Sequence, residues 1–68
     1  MGMSIGRAIA LRRRALKLTQ VELAQLIGVK AGTVAGWEVD DYNPQLARLT
    51  RIARALKTSV AKLVGGAS

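Results

Sequence analysis

Apolar residues recur every three or four positions along most of the chain, a spacing typical of helices with one buried face. The first predicted helix covers about residues 4–16, and Ser4 can cap its amino end. Its apolar face consists of Ile5, Ala8, Ile9 and Leu16. The basic residues Arg7, Arg12, Arg14 and Lys17 are expected to lie mostly outside, whereas Arg13 lies near the edge of the apolar stripe.

A second helix is predicted over residues 20–27, introduced by Thr19 with Glu22 three positions later. This spacing defines a capping box, in which each side chain accepts a hydrogen bond from the other residue's backbone amide. Gly28 follows directly, and a glycine there can adopt the left-handed conformation that ends a helix. A third helix is predicted over residues 31–38, with Val34 and Trp37 as its inward pair.

Residues 39–44 have the composition of a loop and precede a fourth helix over about residues 45–56. The residues at core spacing in this helix are Leu46, Leu49, Ile52, Ala53 and Leu56. A short fifth helix, capped by Thr58 or Ser59 and ended by Gly65-Gly66, contains Val60, Leu63 and Val64. The fold class is therefore all-α, with five helices sharing the core of a single domain over residues 1–68.

The segment 20–38 has the pattern of a helix-turn-helix. Two helices that cross at a steep angle over a tight turn need apolar anchors on both sides, a small residue at the crossing and a glycine in the turn. The residues that meet these needs are Leu23, Ala24, Ile27, Gly28, Val29, Val34 and Trp37. A plain helical hairpin also needs apolar anchors, but it does not require Ala24, Gly28 and a buried Val29 together.

The charge balance narrows the function. Lysine and arginine number 11 against 4 acidic residues, giving a net charge of +7. Such an excess favours a polyanionic partner, although a basic surface that serves only solubility is the simpler alternative. The chain has no cysteine and no histidine, so neither a disulfide nor a zinc-finger site is possible. Asp40 and Asp41 are adjacent in a loop and fit a turn better than acid–base chemistry. With no catalytic pair in the sequence, we expect no catalytic residues, no metal, no cofactor and no enzyme activity.

The longest apolar stretch is far shorter than the roughly 20 residues of a membrane span. The consecutive arginines 12–14 interrupt the region where a secretory signal would have its apolar core. We therefore expect a cytoplasmic protein without a membrane partner.

The chain resembles the lambda-repressor-like helix-turn-helix family, the amino-terminal DNA-binding domain of lambdoid phage repressors. The likeness covers nearly the whole chain and includes residues 11–18, 19–29, 37–38, 44, 49–56 and 59–66. The resemblance implies a repressor-like protein that binds double-stranded DNA, with the third helix in the major groove. It also implies a monomer or weak homodimer that pairs on half-sites about 34–36 Å apart.

The resemblance further implies roles for individual residues. Thr19 and Gln20 match the phosphate-contacting start of the second helix, although a capping pair without a ligand is the alternative. Arg13 and Glu38 match a structural ion pair between the first and third helices, with a second role near phosphate for Arg13. The other candidates for phosphate contact are Arg14, Lys30 and Asn43.

The base-reading face departs from the family pattern. Its expected outward positions are Lys30, Ala31, Gly32, Thr33, Ala35 and Gly36. Only Lys30 and Thr33 have polar reach, whereas bases are usually read by amide and guanidinium groups. Two explanations fit: a designed or redesigned scaffold of this fold without specific DNA binding, or a natural member that reads DNA by backbone contacts and shape.

Two further surfaces stand apart from this face. Arg48, Arg51 and Arg54 form a basic stripe on the fourth helix, which could serve an acidic protein or membrane surface but is more simply a solvated face. The apolar residues Val21, Leu26 and Val64 are expected to be exposed and could support weak self-association.

Overall fold

A computed structural model describes residues 4–65 and contains five α-helices in this range. They are α1 (Ile5–Ala15), α2 (Gln20–Ile27), α3 (Ala31–Glu38), α4 (Leu46–Ala55) and α5 (Val60–Val64). The described part of the chain contains no strand, so the all-α prediction is confirmed. Gly65 follows α5 as predicted, whereas Gly66 lies outside the described residues.

The helix starts follow the capping residues that the sequence indicates. The Ser4 and Ser59 side chains accept hydrogen bonds from backbone amides in the first turns of α1 and α5. At α2, Thr19 Oγ1 accepts from the Glu22 amide at 3.0 Å, and Glu22 Oε1 accepts from the Thr19 amide at 2.8 Å. Both bonds of the predicted capping box are therefore formed, and they fix where α2 begins.

The turn between α2 and α3 is tight because Gly28 adopts a left-handed conformation with φ of 87°. The amides of Gly28 and Val29 both donate to the Ala24 carbonyl oxygen, at 2.8 and 3.0 Å. This geometry satisfies carbonyl groups at the end of α2 and sends the chain directly into α3. The predicted helix-turn-helix is present.

One core joins the helices. The buried apolar cluster consists of Ala8, Ile9, Leu23, Ala24, Ile27, Val34, Trp37, Leu49, Ile52, Ala53, Leu56 and Leu63. Helix α3 packs against α1 and α2, whereas α5 packs against α1 and α4. Leu16 and Val29 are half-buried against the cluster, and Val21, Leu26 and Val64 are exposed as predicted.

In α1 and α4, two residues differ from the predicted burial. Leu46 was expected in the core but is 81% exposed, because it is the first residue of α4 and lies one turn outside the cluster that Leu49 enters. Arg12 was expected outside but is half-buried. Its guanidinium donates to the carbonyl oxygens of Leu56 at 2.8 Å and Lys57 at 3.0 Å, so it binds the carboxyl end of α4 to α1.

Helices α1 and α3 approach each other closely at Gly6. A Cβ atom at this position would overlap the carbonyl oxygen of Trp37 and meet the Asp40 carboxylate. The absence of a side chain at Gly6 therefore sets the distance between the first helix and the end of α3. Within residues 4–65, no helix has the length and apolar character to cross a membrane.

Candidate nucleic-acid interface

A network of three side chains joins α1, the start of α2 and the end of α3. Arg13 Nε donates to Glu38 Oε2 at 2.6 Å, and a second guanidinium nitrogen donates to Glu38 Oε1 at 2.9 Å. The Gln20 amide donates to the same Oε1 at 2.9 Å. The side chains of Arg13 and Glu38 are only 11% and 5% exposed. The sequence resemblance pairs these two residues, and the structure brings them together.

The network stays charged at neutral pH. Burial alone would raise the pKa of Glu38, but the hydrogen bonds from Arg13 and Gln20 outweigh burial and lower that pKa below its usual value. The hydrogen bond with Glu38 likewise raises the pKa of Arg13. An ionised, bidentate pair of this kind holds its two helices in a defined orientation.

Arg13 has little capacity left for a ligand. Besides its two bonds to Glu38, its third guanidinium nitrogen donates to the Leu18 carbonyl oxygen at 2.8 Å. Arg13 is also buried, so we assign it a structural role, and its expected second role near phosphate stays a prediction. Gln20 is only half-buried, and Glu38 occupies one of its two amide hydrogens.

The start of α2 is open to solvent. Thr19 is exposed and Gln20 is half-buried. The first amides of a helix have no partner within the helix, and the capping box occupies only that of Glu22 in this turn. The amides of Gln20 and Val21 therefore point outward along the axis of α2.

The outer face of α3 carries two glycines one helical turn apart. Gly32 and Gly36 each lie two residues from the buried Val34, which places both about 200° from it around the helix. Gly32 is exposed. Gly36 was also expected to be an open outward position, and this expectation is wrong, because the ring of Tyr42 covers and buries it. The expected contact of Gly36 with DNA stays a prediction.

Tyr42 reaches this position because the chain reverses after α3. Asp40 is left-handed with φ of 61°, and the Asp41 amide donates to the Gly36 carbonyl oxygen at 3.0 Å. The Tyr42 hydroxyl then donates to the Gly32 carbonyl oxygen over a long 3.4 Å. Sequence reasoning missed Tyr42. The available signal was two outward glycines followed by an aromatic residue in the next loop.

The remaining candidates differ in exposure. Lys30, Arg14 and Asn43 are exposed, whereas Ala31 and Thr33 are half-buried. Lys30 is the N-cap residue of α3, and its side chain makes no capping hydrogen bond. Among residues 4–65 the Arg13–Glu38 pair is the only salt bridge, so no exposed cation in this range has a carboxylate within salt-bridge distance.

The geometry of α2, the turn and α3 is that of helix-turn-helix proteins, and comparison with known proteins agrees with this class. The family model HTH_3, described as helix-turn-helix, matches residues 9–63. The chain belongs to this helix-turn-helix family.

Two relatives are a phage repressor and a bacterial antitoxin by name. The chain is 40% identical over 63 residues to the immunity repressor protein of Bacillus phage phi105, a match that covers 93% of this chain and 44% of the repressor. It is 48% identical over 48 residues to antitoxin HigA1 of Mycobacterium tuberculosis, covering 71% of this chain and 32% of the antitoxin. The chain thus spans less than half the length of either relative.

A solved structure matches over nearly its full length. The P22 c2 repressor in complex with a synthetic operator is similar with a TM-score of 0.89 and 30% sequence identity. The match covers 94% of this chain and 97% of that chain. The chain is therefore similar in fold to the helix-turn-helix domain of a phage repressor. Its sequence identity with a phage repressor and a bacterial antitoxin does not favour a redesigned scaffold.

Proposed function

We propose that this domain docks on double-stranded DNA with α3 in the major groove, while the start of α2 and nearby cations contact the phosphates. The observation that carries the proposal is the Arg13–Glu38–Gln20 network. It holds the open amino end of α2 beside α3, so a phosphate contact and a groove contact are built into one rigid unit.

The start of α2 supplies one phosphate site. The outward amides of Gln20 and Val21 and the positive end of the helix dipole favour an anion. The second amide hydrogen of Gln20 is available to donate to a phosphate oxygen. The Thr19 hydroxyl already accepts from Glu22 and still has its own hydrogen to donate.

Exposed cations supply the long-range attraction. Lys30 at the start of α3 and Arg14 on α1 are exposed and available to phosphates, and the exposed Asn43 adds an uncharged donor. Contacts of this kind position a protein on the duplex without reading its sequence. The domain is proposed to pair on half-sites about 34–36 Å apart, as helix-turn-helix dimers do.

A salt-dependent titration tests the proposal. Fluorescence anisotropy with a labelled mixed-sequence duplex should show affinity falling about 100-fold between about 50 and 200 mM salt, as expected for roughly four phosphate contacts. Failure to bind at either salt concentration would reject DNA docking and favour a scaffold without a DNA site. Sedimentation of the complex counts the protomers on each duplex.

A charge-matched pair of variants locates the face. Lys30→Ala should weaken binding several-fold and reduce the salt slope by about one. Lys62→Ala removes the same charge from α5, which packs on α1 and α4, and should leave the slope nearly unchanged. Equal effects of the two substitutions would show that net charge, and not this face, determines binding.

A further inference from the structure

We propose that Tyr42, from the loop after α3, supplies the side chain on the outer face of α3 that contacts bases, and that it determines sequence preference. This inference rests on the proposed function, since it assumes that α3 enters the groove. The inference concerns which base pair is recognised in the groove, whereas the proposed function concerns whether the domain binds DNA at all.

The position of the tyrosine follows from the packing on α3. Gly32 and Gly36 occupy the side of the helix opposite the core and contribute no side chains of their own. The Tyr42 ring lies over Gly36, and its hydroxyl reaches the Gly32 carbonyl oxygen at 3.4 Å. The ring thus occupies the place where helical side chains would otherwise project toward bases.

The glycine at position 36 is required for this arrangement. A Cβ atom there would overlap the Cε1, Cζ and hydroxyl oxygen positions of the tyrosine. Glycine lowers the stability of a helix by about 1 kcal/mol relative to alanine, so Gly36 has a local cost. The structure accounts for that cost, because only glycine lets the ring lie directly on the helix backbone.

The tyrosine is also presented to a ligand. It is 48% exposed although its ring packs on α3, so one side of the ring is covered and the other faces solvent. The only other aromatic residue, Trp37, is buried in the core. Tyr42 is therefore the aromatic surface available next to the exposed Gly32.

The chemistry of the exposed ring indicates what it recognises. An apolar surface in the major groove distinguishes a thymine by its 5-methyl group, and a tyrosine hydroxyl adds one hydrogen bond. We therefore expect a preference for an A·T pair at the step that faces Tyr42. This contact is separate from the phosphate contacts at α2, which carry no sequence information.

The test selects preferred sites from a random duplex pool and then compares variants on the selected duplex and a scrambled one. For the wild-type chain we expect a selected site that contains an invariant A·T pair. Tyr42→Ala should bind scrambled duplex with an unchanged salt slope but lose about tenfold of its preference for the selected site. Gly36→Ala should behave similarly because it displaces the ring, while Lys62→Ala on α5, away from α3, should retain the preference.

A direct measurement keeps the test independent of stability. Tyr42 is the only tyrosine, so its ring resonances are identifiable by NMR, and thymine methyl contacts to them should appear in the selected complex. Absence of binding to any duplex would reject the proposed function as well. Binding without any selected site, or equal preference in Tyr42→Ala, or a selected complex without ring-to-base contacts, would overturn the assignment of Tyr42 and leave DNA docking intact.

Discussion

The inner and outer faces of α3 differ in how they are supported. On the inner face, Val34 and Trp37 are buried in the core, and the adjoining Glu38 is bound by side chains from two other helices. On the outer face, Gly32 is exposed and Gly36 is covered by the ring of Tyr42. The loop after α3 adds two hydrogen bonds there, from the Asp41 amide to the Gly36 carbonyl oxygen at 3.0 Å and from the Tyr42 hydroxyl to the Gly32 carbonyl oxygen over a long 3.4 Å. Folding is therefore determined by one side of this helix, and the other side is free to vary with the ligand.

This division places the strongest interactions where they orient the helix and not where it meets DNA. The charged network fixes α3 relative to the start of α2, so a phosphate bound at α2 would set the depth and angle of α3 in the groove. A substitution on the inner face should thus affect stability first. One on the outer face should affect binding preference with little loss of stability.

The largest effect is expected from Glu38→Gln. The substitution keeps the shape of the side chain but leaves the charge of Arg13 buried without a counter-ion, which costs about 3 kcal/mol. Urea unfolding followed by Trp37 fluorescence measures this loss. Glu22→Gln changes the same atoms but preserves a capping box, which accepts Gln as well as Glu, and should be nearly neutral. Similar losses in both variants would contradict a special role in stability for the Arg13–Glu38–Gln20 network.

The same carboxylate predicts a pH dependence. Because the pKa of Glu38 is lower in the folded state than the usual 4.5, the unfolded chain takes up the proton first as pH falls. The contribution of Glu38 is therefore complete above about pH 4.5 and is lost as the pH falls through the lower, folded-state pKa. Thermal unfolding from pH 7 to pH 2.5 should show the difference between wild type and Glu38→Gln shrinking at the acidic end. A difference independent of pH would contradict this assignment.

A smaller loss is expected from Gly6→Ala at the contact between α1 and α3. The new methyl group would overlap the Trp37 carbonyl oxygen, and because this is backbone the two helices must move apart. Overpacking of this kind costs about 2 kcal/mol. Calorimetry of the variant measures the loss, and an unchanged melting temperature would show that α1 and α3 separate freely.

The sequence predicted the inner face well because its signals are local and periodic. The capping box at Thr19, the turn at Gly28 and the core pair Val34 and Trp37 all lie within one short segment with characteristic spacing. The pairing of Arg13 with Glu38 came from family resemblance and not from periodicity, since 25 residues separate the two.

The errors fall where distant segments decide the outcome. Helical spacing placed Leu46 in the core, but spacing cannot tell where the neighbouring helices stop covering a helix end. It also placed Gly36 outside, because helical spacing does not show that the next loop folds back over a helix. The bonds from Arg12 to the end of α4 span more than 40 positions and have no sequence signal.

The smallest expected effect on stability comes from Gly32, on the outer face of α3. A Cβ at Gly32 meets no atom within 4 Å, and the residue is helical, so Gly32→Ala should raise the free energy of unfolding by about 0.5 kcal/mol. Gly28→Ala is the matched control, because its Cβ also meets open space but its φ is 87°. An L-residue in that conformation costs about 1 kcal/mol, so the same substitution should destabilise the turn. Changes of opposite sign in the free energy of unfolding, measured in urea, would show that α3 tolerates substitution on its outer face whereas the turn that orients it does not. A loss at Gly32 would mean that the outer face contributes to folding after all, and the division between the two faces would fail.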